Sequence, residues 1–284
     1  MKIAVVGLGL IGGSIAKTIK KNTSHNCYGI DTNKNTIALA LSQEAIDAEL
    51  TTDGLCDMDI VIVSLYAGGI VNFVLSNLDN FKKGAVVIDT CGVKSEIVAK
   101  LEKPLSEKGV HFVGCHPMAG REFSGFEYAL DNLFDNASCI ITPTDKTDVK
   151  ALSTVKELAK QMRFRRVVES TPEKHDKVIA FTSQLAHVVS ASYVKSPSLF
   201  EQDGFSAGSF KDMTRVAYLN ENMWTELFML NKEALIPEIE SVIKALTDYR
   251  DCLVNDDSER LRELLKDSRE LKTKSNEQIA KFNS

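Results

Sequence analysis

The chain has 284 residues, 44% of them apolar and 26% charged. At roughly 150 residues per domain that size implies two domains, and the composition excludes a disordered chain, a coiled-coil rod and a disulfide-stapled peptide. Lys and Arg total 34 against 39 Asp and Glu, a formal charge of -5, so neither nucleic acid nor an anionic membrane surface is an expected partner.

Lys2 followed by apolar residues to Ala16 has the outline of a signal peptide, but the glycines from Gly7 to Gly13 interrupt it and no cleavage region follows. No later segment approaches the roughly 18 apolar residues of a membrane span. Short runs dense in Val and Ile then read as strands: Ile3–Val6, Cys27–Ile30, Ile60–Leu65, Ala85–Asp89, His111–Gly114, Ser138–Thr142 and Arg166–Glu169. They show little polar alternation and are separated by helical stretches, which predicts a parallel, doubly wound α/β Rossmann domain over residues 1–170. Cys27, Cys56, Cys91, Cys115, Cys139 and Cys252 form no Cys-x-x-Cys pair and lie mostly in or beside these strands. They are expected to be reduced thiols of a cytoplasmic protein, with no metal site.

From Thr171 the strand signal stops, and residues 171–284 read as an all-helical second domain. Thr171-Pro172-Glu173 is a helix start: a capping residue, a proline in the first turn and an early acid. Val178–Tyr193 is apolar on nearly every side and suits a helix buried on most faces. Further apolar stripes run from Trp224 to Leu246 and, amphipathically, from Asp256 onward through Leu261, Leu265, Leu271 and Ile279. Helices this apolar predict a homodimer through the helical domain, the alternative being that they pack only on their own sheet domain. The last helix runs almost to Ser284, so no appended regulatory domain is expected.

The first strand leads directly into Gly7-x-Gly9-Leu10-Ile11-Gly12 and then a helix. In that context the three glycines have separate tasks: a tight turn, close approach of a pyrophosphate to the backbone, and close packing of helix on strand. The second strand ends at Asp31, nineteen residues beyond Gly12, where a carboxylate can accept hydrogen bonds from the adenosine ribose and would repel a 2'-phosphate. NAD is therefore expected over NADP, with Gly7, Gly9, Leu10, Ile11, Gly12 and Asp31 as cofactor-binding residues. His116 emerges where the fifth long strand reaches the ligand edge of the sheet. Neutral imidazole there could accept a proton from a substrate hydroxyl as hydride leaves the same carbon. By residue type alone, a loop histidine bonded to backbone is the alternative.

Several ordered motifs go further. Asp89-Thr-Cys-Gly-Val-Lys94, His116-Pro-Met-Ala-Gly120, Thr182-Ser-Gln-Leu-Ala-His187 and Phe210-Lys-Asp-Met-Thr-Arg215, with Trp224 beyond, together resemble the prephenate dehydrogenase family across nearly the whole chain. The resemblance implies NAD-dependent oxidative decarboxylation of prephenate to 4-hydroxyphenylpyruvate in tyrosine biosynthesis. It assigns His116 as acceptor of the hydroxyl proton and Arg215 as ligand of a substrate carboxylate, a task suited to a planar guanidinium. His187, Lys211, Glu122, Trp224 and Lys94 match or adjoin further substrate-binding positions. Taken singly, each has a plainer alternative: a salt bridge to Asp212 for Arg215, a core position for His187 and Trp224, a solvated charge for Lys211 and Glu122.

The chain also departs from the family pattern. A serine common two residues before Lys94 is Gly92 here, so Thr90, Cys91, water or backbone would have to orient His116. Gln184 and Ala186 replace a histidine and a proline of the helical motif, and Arg121 stands where threonine is frequent. Rival readings are an arogenate or cyclohexadienyl dehydrogenase, a hydroxyacid-type two-domain dehydrogenase using Lys174 or Lys177, and a non-catalytic NAD-binding regulator.

Overall fold

The computed structural model describes residues 1–283, with side chains through Ala280; the final residue of the expected helical domain, Ser284, lies outside the described residues. The first part alternates β1 (Lys2–Val6), α1 (Leu10–Asn22), β2 (Asn26–Ile30), α2 (Lys34–Ser42), β3 (Ala48–Glu49), β4 (Ile60–Val63), α3 (Ala67–Ser76), β5 (Val86–Asp89), α4 (Ser95–Glu107), β6 (His111–Pro117), β7 (Ser138–Thr142), α5 (Val149–Gln161) and β8 (Arg166–Glu169). Among the described residues these strands form one sheet in the order β3-β2-β1-β4-β5-β6-β7-β8. Successive strand residues face opposite sides. Ile3, Val5, Ile62 and Ile88 enter a core beneath α1 and α5, whereas Ala4, Val6, Val61, Val63 and Val87 enter one beneath α3 and α4. Two covered faces explain why the strands read as unbroken apolar runs.

One strand departs from the expected parallel sheet. β7 runs antiparallel to β6, with His116 opposite Ile140 and Pro117 opposite Cys139. No crossover helix of ordinary length joins the two strands, only a loop with a short 3-10 turn at Phe126–Tyr128, and a parallel pair would require such a crossover. The same pairing carries β6 past the expected end at Gly114. His116 is consequently a strand residue, clamped by a ladder, and not a loop residue.

Beyond the sheet come α6 (Pro172–Ile179), a π-helical stretch (Ala180–Gln184), α7 (Leu185–Tyr193), α8 (Gly208–Thr214), α9 (Glu221–Leu230), α10 (Lys232–Val254) and α11 (Ser258–Asn283). The Thr171 side chain accepts the Lys174 N–H, and Pro172 sits in the first turn, so the helix start is the one anticipated. The compact units divide between Ala234 and Leu235, beyond the point near residue 170 where strands give way to helices. The reason is the attachment of α6 to α9 onto the sheet. Asn231 Nδ2 donates to the Asp176 carbonyl at 2.9 Å and to Gln184 Oε1 at 2.7 Å, Leu227 and Leu230 pack on the core beneath α3 and α4, and Glu226 accepts the Gly68 N–H. The unit from Leu235 onward comprises α11 and α10 beyond its first three residues, and within it Tyr249 and Ser268 share a hydrogen bond. Among the described residues no helix is long and apolar enough to cross a membrane.

The Val178–Tyr193 helix is less buried than its composition suggested. Ile179, Ala180, Gln184, Leu185 and Ser190 face inward, but Val178, Phe181 and Tyr193 are exposed.

Asn231→Leu would leave Gln184 Oε1 unpaired in a buried setting and strip the Asp176 carbonyl of one of its two donors, the other being the Ala180 N–H. We expect a loss of about 1–3 kcal/mol, seen as a lower urea midpoint with an unchanged denaturant slope.

Candidate active site

The cofactor edge is built from the first turn. Gly7 has φ of 83°, and a Cβ there would strike the Ser64 carbonyl, while one at Gly12 would strike the Gly7 carbonyl. Both glycines are required by the chain itself, where the β1 turn abuts the end of β4. Gly9 is different: nothing lies within 4 Å of where its Cβ would stand. Glycine at that point, capping the N-terminus of α1, leaves an open cradle of backbone N–H groups into which a pyrophosphate fits. Leu10 and Ile11 begin α1 beside it. Asp31 is held ready by two backbone donors, Leu8 N–H to Oδ2 and Asn33 N–H to Oδ1, both at 2.8 Å. The cradle opens between β1 and β4, where the strand order reverses, the usual ligand crevice of such sheets.

His116 is positioned from behind. Asp89, the last residue of β5, is fully buried; it accepts the Cys91 N–H at 2.9 Å and the Cys115 N–H at 3.2 Å. Lys94 is also fully buried. Its ammonium pairs with Asp89 and donates to the Cys115 carbonyl at 2.7 Å. This corrects the expectation that Lys94 binds substrate: its donors are committed inside the protein, tying β5 to the residue that precedes His116.

The side chain of His116 meets a residue that the sequence motifs do not single out. His116 Nδ1 lies 2.9 Å from His175 Nε2, and His175 Nδ1 lies 2.7 Å from Asp176 Oδ1. Asp176 also accepts the N–H groups of Lys94 (2.7 Å) and Ser95 (2.8 Å), capping α4 from another helix. Burial alone would raise the Asp176 pKa, but the hydrogen bonds from His175, Ser95 and Lys94 prevail and hold the carboxyl below its ordinary range. For His116 burial is foremost, aided by His175 and Lys94 and opposed by Asp176, and its pKa falls well below 6.5. The ring is therefore neutral and basic around neutrality.

Neither residue expected to stand in for the missing serine orients His116. Thr90 donates to Ser64 Oγ at 3.1 Å, and the Cys91 thiol is buried, its pKa pushed up to about 11 chiefly by that burial. The only legible signal for His175 was its place in the first turn of a well-capped helix, a weak one, because Lys174 and Lys177 flank it with equally polar side chains.

A second wall, around Arg215, gathers most of the remaining candidates. Arg215 Nη1 donates to Glu122 Oε1 at 2.5 Å, in place of the alternative partner Asp212. That bond, above all, holds the Glu122 carboxyl below its ordinary range. His187 Nδ1–H donates to the Ser183 carbonyl at 2.8 Å, and its ring lies against Trp224 with centroids 3.9 Å apart. Burial, foremost, and Arg215 push the His187 pKa down against the Ser183 bond. Arg121 donates to the Tyr128 carbonyl. Lys211 is exposed on α8 and makes no ion pair among the described residues, so the structure does not join it to this wall. Gln184, the departure from the family histidine, is buried and bonded to Asn231 and the Leu227 carbonyl.

A neutral imidazole at the carboxyl edge of a dinucleotide-binding sheet is what oxidation of an alcohol requires of a protein, since the cofactor carries the redox chemistry. Fold and site thus define a nicotinamide-dependent dehydrogenase. The model of the prephenate dehydrogenase nucleotide-binding domain matches residues 15–168, and that of the prephenate dehydrogenase dimerization domain matches residues 171–267. The chain belongs to the prephenate dehydrogenase family. Prephenate dehydrogenase of Bacillus subtilis is 33% identical over 272 residues, covering 91% of this chain and 72% of that protein. Cyclohexadienyl dehydrogenase of Zymomonas mobilis is 30% identical over 277 residues, covering 94% and 93%. The crystal structure of Aquifex aeolicus prephenate dehydrogenase in complex with hydroxyphenyl propionate and NAD+ superposes with a TM-score of 0.86 at 32% identity, covering 96% of this chain and 98% of that one.

Lys94→Ala would leave the Asp89 carboxylate buried without its counter-charge. The expected cost is about 3–5 kcal/mol of folding stability, measurable by urea denaturation; a change below about 1 kcal/mol, the worth of a surface pair, would contradict the assignment.

Proposed function

We propose that the protein oxidatively decarboxylates prephenate to 4-hydroxyphenylpyruvate with NAD, the step that supplies the tyrosine precursor. The observation that carries this reading is His116, held in its neutral form and set at the same carboxyl edge of the sheet as the cofactor cradle. When bound, the nicotinamide supplies the hydride acceptor. The N–H groups at Gly9, Leu10, Ile11 and Gly12 would hold its pyrophosphate, with Gly7 shaping the turn, and Asp31 would accept from the ribose and disfavour a 2'-phosphate.

His116 takes the proton of the ring hydroxyl: the O–H bond breaks and an N–H bond forms on imidazole. Departure of the ring carboxylate as carbon dioxide makes the ring aromatic and the step irreversible. Arg215 binds a substrate carboxylate, exchanging or sharing its Glu122 partner, and His187 and Trp224 form the adjoining wall. Lys211, exposed on α8 four residues before Arg215, is proposed only as a cation attracting the dianion. The similarity to a cyclohexadienyl dehydrogenase supports a second reading, in which arogenate is also accepted. Exposure of Lys174 and Lys177 argues against a lysine-dependent hydroxyacid mechanism.

We propose further that residues 171–284 form the substrate and dimerisation domain and that the protein is a cytoplasmic homodimer. Supporting the dimer are Phe200, Phe205 and Tyr218, large apolar side chains of the helical part that are 91%, 90% and 83% exposed in the single chain. Six free cysteines, five of them buried, support a reducing compartment.

Purified protein mixed with NAD or NADP and either prephenate or arogenate should form NADH most rapidly with prephenate; inertness toward both substrates would refute the reading and favour a silent regulator. His116→Asn is expected to retain NAD binding while losing about 10²–10⁴ in turnover. Arg215→Ala should cost of order 2–5 kcal/mol in kcat/KM, with the larger part in substrate affinity. Because the basic form of His116 is the active one and its pKa lies below 6.5, kcat/KM should hold steady through neutral pH. It should fall only as acid protonates the ring below the ordinary histidine range, and an acid limb at or above 6.5 would contradict this.

A further inference from the structure

We infer that His175 and Asp176 are positioning residues that select which nitrogen of His116 serves as the base, a task the chain performs without a hydroxyl at position 92. The inference rests on the reading of His116 as proton acceptor, and its basis is the sequence of donors and acceptors along the chain of contacts. Asp176 already takes the N–H groups of Lys94 and Ser95 on its two oxygens, in the first turn of α4, where a carboxylate is the favoured form. An ionised carboxylate is acceptor-only. The bond between Asp176 Oδ1 and His175 Nδ1 therefore places hydrogen on His175 Nδ1.

A neutral His175 then has its lone pair on Nε2. That atom lies 2.9 Å from His116 Nδ1, so His116 must donate from Nδ1, and its own lone pair is left on Nε2. Nε2 faces Gly92: a Cβ placed on Gly92 would stand 3.8 Å from it, in ordinary contact, with Leu227 alongside. The free lone pair is thus on the side of the ring that faces the glycine, where no side-chain hydroxyl occupies it.

The groups facing His116 are Lys94 at the start of α4, itself paired with Asp89 of β5, and His175 and Asp176 of α6. Of these, only His175 hydrogen-bonds the ring among the described residues. Thr90 and Cys91 are occupied elsewhere. As the substrate proton reaches Nε2, positive charge develops on the ring, and the Nδ1–H bond to His175 strengthens, with the Asp176 carboxylate behind it. Backbone rigidity reinforces the chain at both ends: His116 sits in the β6–β7 ladder opposite Ile140, and the Asp176 carbonyl is held by Asn231.

A purely structural network would stabilise the fold without caring about the tautomer of His116, and this separates the two roles. In the wild-type protein, long-range proton–nitrogen NMR spectra should show His116 protonated on Nδ1 at neutral pH; protonation on Nε2 would overturn the inference, whatever the substrate proves to be. His175→Leu removes the acceptor, and with prephenate and NAD it should lower kcat by about 10² while the KM values change less than about threefold. His175→Gln offers an amide oxygen near the position of Nε2 and should recover kcat to within about tenfold of wild type. Equal losses in the two variants, or a folded His175→Leu protein with wild-type kcat, would also overturn it. If His175→Leu fails to fold, the wild-type tautomer and the Gln variant decide the matter. A wild type inert toward prephenate would defeat the functional reading and leave the tautomer result standing.

Discussion

An ammonium group buried without water is tolerated only where its charge is met at close range, and at Lys94 it is met by Asp89 and by the Cys115 carbonyl. Parallel pairing of β5 with β6 ends at Ile88 and Val113; beyond that point the two strands have no ladder bonds between them, and the ion pair takes over. The backbone N–H of the same lysine goes to Asp176. One residue therefore joins the end of β5, the residue before His116, the start of α4 and the first turn of α6. His116 is fixed at the carboxyl edge of the sheet because these four segments are stitched at a single buried point.

Around that point the electrostatics are graded. The Asp89–Lys94 pair is sealed and nearly self-compensating, Asp176 is held as an anion by helix N–H groups, and His116 is kept neutral mainly by burial. A general base needs to be unprotonated and close to its target. Moving outward, Glu122 and Arg215 are both partly exposed, so that pair is screened and exchangeable, a suitable setting for a guanidinium that must accept a carboxylate from solution. The tight pair builds the site, and the loose pair is the one proposed to meet the substrate.

Much of the fold was legible in the chain. Seven of the strands were read from Val- and Ile-dense runs within a few residues of their observed ends, and β3, with only two residues, has too short a pattern to register. The reversal of β7 was missed because periodicity reports burial and not strand direction. The boundary near residue 170 marks where strands give way to helices, which composition records; the compact unit extends to Ala234 because buried partners such as Asn231 join segments distant in sequence. In the site, the glycine turn and Asp31 were visible through spacing alone, whereas Lys94 was misplaced, since a lysine at a helix start carries no mark of its burial.

The sequence by itself determined the Rossmann order, the dinucleotide turn, the identity of His116 and the helical character of the chain beyond Thr171, all properties that reside in local periodicity and residue chemistry. Only the tertiary structure decided that Lys94 is internal, that Glu122 and not Asp212 faces Arg215, and that His175 and Asp176 stand behind His116. His116 and His175 are 59 positions apart. Hydrogen bonding is directional and short-ranged, so such a partnership exists only after the sheet and α6 have packed, and no local pattern in the chain encodes it.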